Sequence, residues 1–582
     1  MPNVGPSPVA RQDSSAPSQP LVERETALGV LGGALAEAAN GSGRVVFIGG
    51  EPGIGKTALV RAFSSGIPAE RGTRVLVGFC DGVSTPRPLA PMHDMRAGLG
   101  PELVELLRTN GQAHAIFDQV LADLGVNSPT VMIIEDLHWA DDATLDLVRF
   151  LGRRVESLAV LLVGTYRDEA GGLPAPLLSM LGDLLTLPRV ERHILPRLSS
   201  GGVAALAAGS GIEAAELHRL TGGNPYFVTE VLAAGTSSVP ESIADSTRAR
   251  IARLDDRARE ALDAAAIIGT RIDPWLLAAV AGEQIMGIDD CLRSALLTKS
   301  DDGLAFSHEL TRLTVLEDMP VFRGIAMHRR ALDALRRTGS RDASRLAYHA
   351  EGAADAKAVL GHAVAAGRIA IRVGAYREAV AQLQRAERFA SHAPAAADVA
   401  ALMDHLSYAL FLINHQEEAY AARHAALLRW RRIGDQRRIG DSLRWLSRLA
   451  WIRGRGREAR DLGAQALRVL EPVGDSHELA MAISNIGHLA MLAQDADQAL
   501  AFSARALEMG ERIHDPEAVA HALNNIGSVE LAVGQLEGAE KLQRSAAISR
   551  ERGFPEHLDR ALYNLTGAAL SRRDLAAAAA YL

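Results

Sequence analysis

The sequence predicts a multidomain chain: an α/β P-loop unit on a parallel sheet, then a helical lid, a winged helix and an all-α solenoid of helical repeats. Three observations predict it. A Gly-rich loop, GGEPGIGKT at Gly49–Thr57, directly follows the apolar run Val45–Ile48. Two further apolar runs, Val131–Ile134 and Leu158–Gly164, each end in polar residues. From about residue 365 the chain repeats itself every forty residues. At 582 residues the chain is too long for one hydrophobic core, since domains hold roughly 100–200 residues each.

The first twenty residues hold Pro2, Pro6, Pro8, Pro17 and Pro20, with no basic start followed by an apolar stretch. They read as a disordered leader and not as a secretory signal. Residues 21–170 form the expected P-loop domain, which opens on the buried-strand run Val45–Ile48. In the loop that follows, Gly50, Gly53 and Gly55 free the backbone to turn its N–H groups toward phosphate, and the new helix adds its positive end. Lys56 is the residue that reaches the β and γ phosphates of ATP, and Thr57 supplies a hydroxyl to Mg²⁺.

Val131–Ile134 reads as the next strand of this unit, ending in Glu135 and Asp136. Such a fold places its Mg²⁺ carboxylate and its water-orienting residue there. The first position, Glu135, is assigned to the metal and Asp136 to the water; the two roles can exchange. The third run ends in Thr165, Tyr166 and Arg167, where Arg167 carries a charge that can sense a terminal phosphate. Lys56, Glu135, Asp136 and Arg167 are therefore the expected catalytic set.

Residues 171–237 read as a helical lid around GGNPYF, and 238–345 as a winged helix whose wing lies near Leu304–His308. The arginines of this segment are interleaved with acids, which argues against a DNA-reading face. His138 and Trp139 have no neighbouring nucleophile or ligand spacing and read as structural. The lone Cys80 and Cys291 read as buried small hydrophobes in a reducing cytoplasm. No HExxH, GxSxG or His–carboxylate cluster supports a hydrolase triad or zinc chemistry.

Several phrases together resemble the signal-transduction ATPases with numerous domains (the STAND class of AAA-type ATPases), and in particular the ATPase part of large LuxR-type regulators. They are LVERE at Leu21–Glu25, the P-loop, EDLHWAD at Glu135–Asp141, GTYRDE at Gly164–Glu169, GGNPYF at Gly222–Phe227 and FSHEL at Phe306–Leu310. Similar segments accompany some nucleotide cyclases. The resemblance implies that Val22 and Arg24 lie near adenine and that Arg167 is the sensor arginine. It also implies that Asn224 and Pro225 hold the base, and that His308 approaches the phosphates from the winged helix in a closed ADP state.

Residues 346–582 carry the repeats. One column reads Ala379, Ala419, Ala459, Ala499, Ala539 and Ala579, and a second reads Ala386, Ala426, Ala466, Ala506 and Ala546. Turn-tolerant residues stand five before the first column: Gly374, Asn414, Gly454, Gln494, Gly534 and Asp574. Leu406, Leu446, Ile486 and Ile526 supply an apolar contact in each unit. Each unit reads as a helical hairpin resembling a tetratricopeptide repeat (TPR) lengthened to forty residues. The last unit stops at Leu582 without a second helix or polar cap, so the natural chain is expected to continue.

Hydrophobic content of 48%, charged content of 23% and a net charge of −8 fit a soluble chain with no field for nucleic acid. No apolar run approaches the ~18 residues a membrane helix needs. Arginine far outweighs lysine, which with abundant alanine suggests a GC-rich bacterial genome. The expectation is a cytoplasmic, ATP-binding switch with slow hydrolysis. It senses an inducer or protein on the repeat groove, self-associates with ATP bound, and regulates transcription through a DNA-binding region outside these residues. The alternatives are a regulatory ATPase module for a cyclase or kinase, and a remodelling ATPase driven by rapid turnover.

Overall fold

The computed structural model describes residues 21–68, 72–80, 82, 87–126, 129–168, 172–234, 243–294, 296–300, 303–306 and 309–581. Five strands form the first sheet: β1 (Arg44–Gly50), β2 (Arg74–Phe79), β3 (Thr130–Glu135), β4 (Val160–Arg167) and β5 (Val190–Ile194). They run parallel in the order β2-β3-β4-β1-β5. Helices cover both faces, so the central strands must be apolar on both sides. Val45 and Phe47 enter one core while Val46 and Ile48 enter the other, with Leu59 and Leu31.

The sheet extends beyond the boundary expected at residue 170. Strand β5 belongs to it, with Val45–Gly49 of β1 paired to Val190–Ile194, and helix Ala175–Leu184 lies between β4 and β5 in the chain. Strand β5 escapes a pattern reading because it lies at the sheet edge, where Glu191 and Arg192 face solvent and break the apolar run.

Helices Ser200–Ala207, Ala214–Thr221 and Pro225–Ala234 make a small lid with its own core of Leu198, Val203, Leu217, Val228 and Val231. Next come helix Asp256–Ile268, strand β6 (Arg271–Ile272), helices Pro274–Ala281 and Ile288–Arg293, and strands β7 (Leu297–Ser300) and β8 (Gly303–Phe306). The strands form an antiparallel sheet ordered β6-β8-β7, the element order of a winged helix. Arg271 ties this unit to the first sheet, pairing with Asp94 at 3.1 Å and lying over the Phe79 ring at 4.4 Å. The expected boundary at 345 falls inside helix Ala343–Gly352.

The repeats are helical hairpins, from Ala356–Arg372 with Tyr376–Arg388 through Pro555–Ser571 with Leu575–Tyr581. The expected turn column lies in the left-handed region at Gly374, Asn414, Gly454, Gln494 and Gly534. Near the end the register slips by one. Arg573, not Asp574, takes the positive φ, and Gly538 and Ala578, not Ala539 and Ala579, are the buried residues. A further column of small residues sits where the two helices of a hairpin cross. Ser407 donates to the Ala419 carbonyl at 2.8 Å and Ser447 to the Ala459 carbonyl at 2.7 Å. Gly527 takes the same place, and a Cβ there would lie 2.6 Å from the Gly538 carbonyl oxygen.

The array curls back on itself and on the first domain. Arg448 pairs with Glu556 across the inside of the coil. Arg377, in the first hairpin, pairs with Asp142 at 2.8 Å. Far along the array, the Arg552 carbonyl accepts from Gln112 at 3.5 Å, and Gly553 packs so closely on Gln112 that a side chain would overlap it. Among the described residues no helix is long and apolar enough to cross a membrane. Cys80 and Cys291 are buried, as expected.

Candidate functional site

Strand β1 delivers the loop Gly50–Gly55 and helix Lys56–Ser65 at the C-terminal edge of the sheet, where α/β folds place ligands. Gly50, Gly53 and Gly55 all have positive φ, at 155°, 75° and 95°. Gly53 has a second reason to lack a side chain, because a Cβ would sit 2.6 Å from the Cβ of Tyr226. Lys56 is buried and donates to the carbonyls of Gly50 at 2.8 Å and Glu51 at 3.0 Å, which spans the loop.

The ends of β3 and β4 meet this loop. Glu135 is 4% exposed and accepts a hydrogen bond from the Thr57 hydroxyl, yet its Oε2 has no partner among the described residues. Burial pushes its carboxyl up to about 7, the Thr57 bond opposes the shift, and the charge of Asp136 adds to it. Asp136 stands in the left-handed region at φ 61°, its N–H donating to the Thr165 hydroxyl at 2.9 Å. Pairing of β1 with β4 places Gly50 beside Arg167, so the sensor position flanks the loop.

His138 and Trp139, read from sequence as structural, are in contact with Arg167. The Arg167 guanidinium lies 4.5 Å from the Trp139 ring, and its backbone N–H donates to Nδ1 of His138 at 3.4 Å. The His138 side chain is 9% exposed, its Nε2 has no partner among the described residues, and its Nδ1 is 3.8 Å from Asp136. Burial holds the ring down at about 3, and Arg167 and Lys56 push the same way. The signal that could have found it is its place in EDLHWAD, three residues after Glu135 on the turn that ends β3.

The lid closes on the loop through GGNPYF. Asn224 donates Nδ2 to the Pro52 carbonyl at 3.0 Å, while its Oδ1 accepts from the Tyr226 N–H at 3.0 Å. The Tyr226 N–H also lies 3.2 Å from the Gly53 carbonyl, and Pro225 starts the helix Pro225–Ala234. Glu230 of the same helix pairs with Arg250 at 2.6 Å, so the lid is joined to helix Ile243–Ile251, which leads into the winged-helix unit. Arg24 is buried, donating to the carbonyls of Glu23, Ile54 and Pro196 at 2.8, 3.0 and 3.1 Å. Val22 packs on the lid core. Both residues thus sit at the seam of loop, sheet and lid. His308 lies outside the described residues.

These residues fit a nucleotide and Mg²⁺. The loop is a backbone cradle only glycines can form, and Glu135 presents a buried oxygen with no partner among the described residues beside the Thr57 hydroxyl. Among the described residues no group of three or more His, Cys, Asp or Glu could hold a metal alone. That suits Mg²⁺, which takes one or two protein ligands and completes its shell with phosphate and water.

Sheet order, loop and acidic strand end together define a P-loop nucleotide-binding unit. Residues 20–163 match the AAA ATPase domain, and residues 478–547 match the tetratricopeptide repeat. A curated relative, an uncharacterized protein of Rhizobium meliloti (strain 1021), is 25% identical over 450 residues, covering 63% of this chain and 42% of the relative. The chain therefore spans less than half the length of that relative. Among solved structures, a STAND protein with a tetratricopeptide repeat sensor from Pyrococcus horikoshii is similar, at 14% identity over 98% of this chain and 90% of that one, with a TM-score of 0.44. A Walker-type ATPase of Pyrococcus abyssi is similar at 13% identity over 51% of this chain and 96% of that one, with a TM-score of 0.30.

Proposed function

We propose that the chain is an ATP-operated signal switch whose repeat array reads an inducer or partner protein and reports it to the nucleotide site. One observation carries this reading: the first repeat hairpin rests on the helix that grows out of the EDLHWAD segment. Arg377 pairs with Asp142, the first residue of helix Asp142–Gly152. Beside it, Glu378 is pushed up to about 8 by burial and by the charges of Asp141 and Asp142. Asp141 caps that helix by accepting from the Thr144 N–H at 3.0 Å. A shift of the repeats is thereby transmitted to the turn holding Asp136 and His138.

In this reading the N–H groups of the loop and Lys56 hold the phosphates, and Asn224, Pro225, Val22 and Arg24 close the seam over the base. A bound Mg²⁺, held by Thr57 and Glu135, would neutralise phosphate charge. The bond between Thr57 and Glu135 supports giving the metal to Glu135, and the half-exposed Asp136 suits the water-orienting role. Arg167 flanks the loop as a sensor of the terminal phosphate. Hydrolysis is slow and serves as a timer, the ATP-bound form self-associates, and the output is transcription in a bacterial cytoplasm, through a DNA-binding region outside these residues as in LuxR-type regulators.

Charge reversal tests the coupling in the full chain. Arg377→Glu should speed ADP release and raise the basal hydrolysis rate severalfold, and Asp142→Arg in the same chain should restore wild-type behaviour. If Arg377→Glu leaves both rates unchanged in a folded protein, the repeats do not govern the site and the switch reading fails.

A further inference from the structure

The mechanism above leaves one buried donor without a task. The backbone N–H of Arg167 donates to Nδ1 of His138, so Nδ1 carries no proton. A ring buried among the charges of Lys56 and Arg167 is neutral, and a neutral imidazole with a bare Nδ1 has its proton on Nε2. That Nε2–H has no partner among the described residues, and the side chain is 9% exposed. Leaving a buried donor unmade is costly, and sites that do so commonly reserve it for a ligand.

The surroundings indicate what kind of ligand. Lys56 and Arg167 bring two positive charges to the ring: Lys56 opens the helix that follows the Gly-rich loop, and Arg167 ends the strand paired beside Gly50, where that loop begins. Asp136, at 3.8 Å, faces Nδ1 and not the idle nitrogen. An acceptor bearing negative charge answers all three groups at once. Resting on the nucleotide reading above, we infer that Nε2–H of His138 donates to the terminal phosphate of a bound nucleoside triphosphate and so distinguishes ATP from ADP. His138 then acts with Arg167 as a pair, its ring fixed by the Arg167 backbone and by the Trp139 ring at 4.4 Å.

Two isosteric variants separate this role from a merely structural one. An Asn amide reaches the position of Nδ1 and keeps the bond from Arg167, whereas a Gln amide reaches the position of Nε2 and keeps the donor. Affinities of ADP and of a non-hydrolysable ATP analogue, measured by calorimetry on the full chain, give the readout. His138→Gln should keep the wild-type ratio of the two affinities. His138→Asn and His138→Phe should weaken the analogue about tenfold or more and leave ADP within about twofold, the loss expected for one hydrogen bond to a charged acceptor. An unchanged ratio in His138→Phe overturns the inference, as does an Asn variant like wild type beside a Gln variant like Phe. If the wild-type chain binds neither nucleotide, the site reading itself fails. If wild type binds both and only the His138 variants behave otherwise than stated, this inference alone falls.

Discussion

The Asn224 amide donates to the Pro52 carbonyl at 3.0 Å, a bond from the lid into the middle of the Gly-rich loop. The same side chain accepts from the Tyr226 N–H at 3.0 Å, so one residue sets both the turn and its docking. The lid position is therefore set by the Gly-rich loop itself.

Asn224→Ala should remove both bonds and leave the buried Tyr226 N–H with its weaker contact to Gly53. The cost is about 1–3 kcal/mol of lid closure. Stopped-flow measurement of a fluorescent ADP analogue should show dissociation accelerated about tenfold or more, with association little changed.

Gly53→Ala should be worse than Asn224→Ala, because φ 75° and the 2.6 Å approach to Tyr226 leave no place for a methyl group. Strain and overpacking of this kind cost about 1–3 kcal/mol each. The expected outcome is loss of measurable nucleotide binding by calorimetry together with a lowered melting temperature.

Glu135→Gln should keep nucleotide binding while slowing phosphate release in a steady-state assay by at least about tenfold. Glutamine still accepts from Thr57 and no longer offers a carboxylate oxygen to the metal. Normal turnover in this variant would place the metal carboxylate at Asp136.

Glu378 gives a pH dependence with a definite sign. Its carboxyl lies at about 8 in the folded chain, above its ordinary value of 4.5, so the folded form holds a proton that the unfolded form releases. The stability that this proton confers is complete below about pH 4.5 and falls as pH rises through about 8. Glu378→Gln keeps the neutral shape at every pH. Thermal melts of the two proteins should coincide near pH 5 and diverge in favour of the variant near pH 8.

Gly527→Ala tests the small-residue column of the repeats. Its methyl group would meet the Gly538 carbonyl at 2.6 Å, a backbone atom that cannot swing aside. A loss of about 1–3 kcal/mol is expected, read as a lower melting transition of the array with nucleotide affinity retained.

The phosphate loop, the acidic strand end and the repeats were legible in the sequence because each is a local pattern with one physical meaning. Thr57 and Glu135 are 78 positions apart in number but were linked by the roles their residue types can take. What lay beyond reading depended on long-range contact. Strand β5 looked polar because its place at the sheet edge leaves Glu191, Arg192 and Ile194 exposed. His138 looked idle because Arg167, which employs it, arrives from the next strand. The slip to Gly538 and Ala578 breaks a column of alanines that is continuous on paper.

The coil of repeats touches the first domain at two places, by Arg377 to Asp142 and by the Arg552 carbonyl to Gln112, and Arg448 pairs with Glu556 across its inside. A strip held this way behaves as a bent leaf spring rather than a loose arm. In a solenoid, small rotations between neighbouring hairpins add along the stack. In the proposed switch, an occupant that separates Arg448 from Glu556 would not need to reach the nucleotide site, because a slight unwinding at each joint would add along the stack toward the contacts at Asp142 and Gln112.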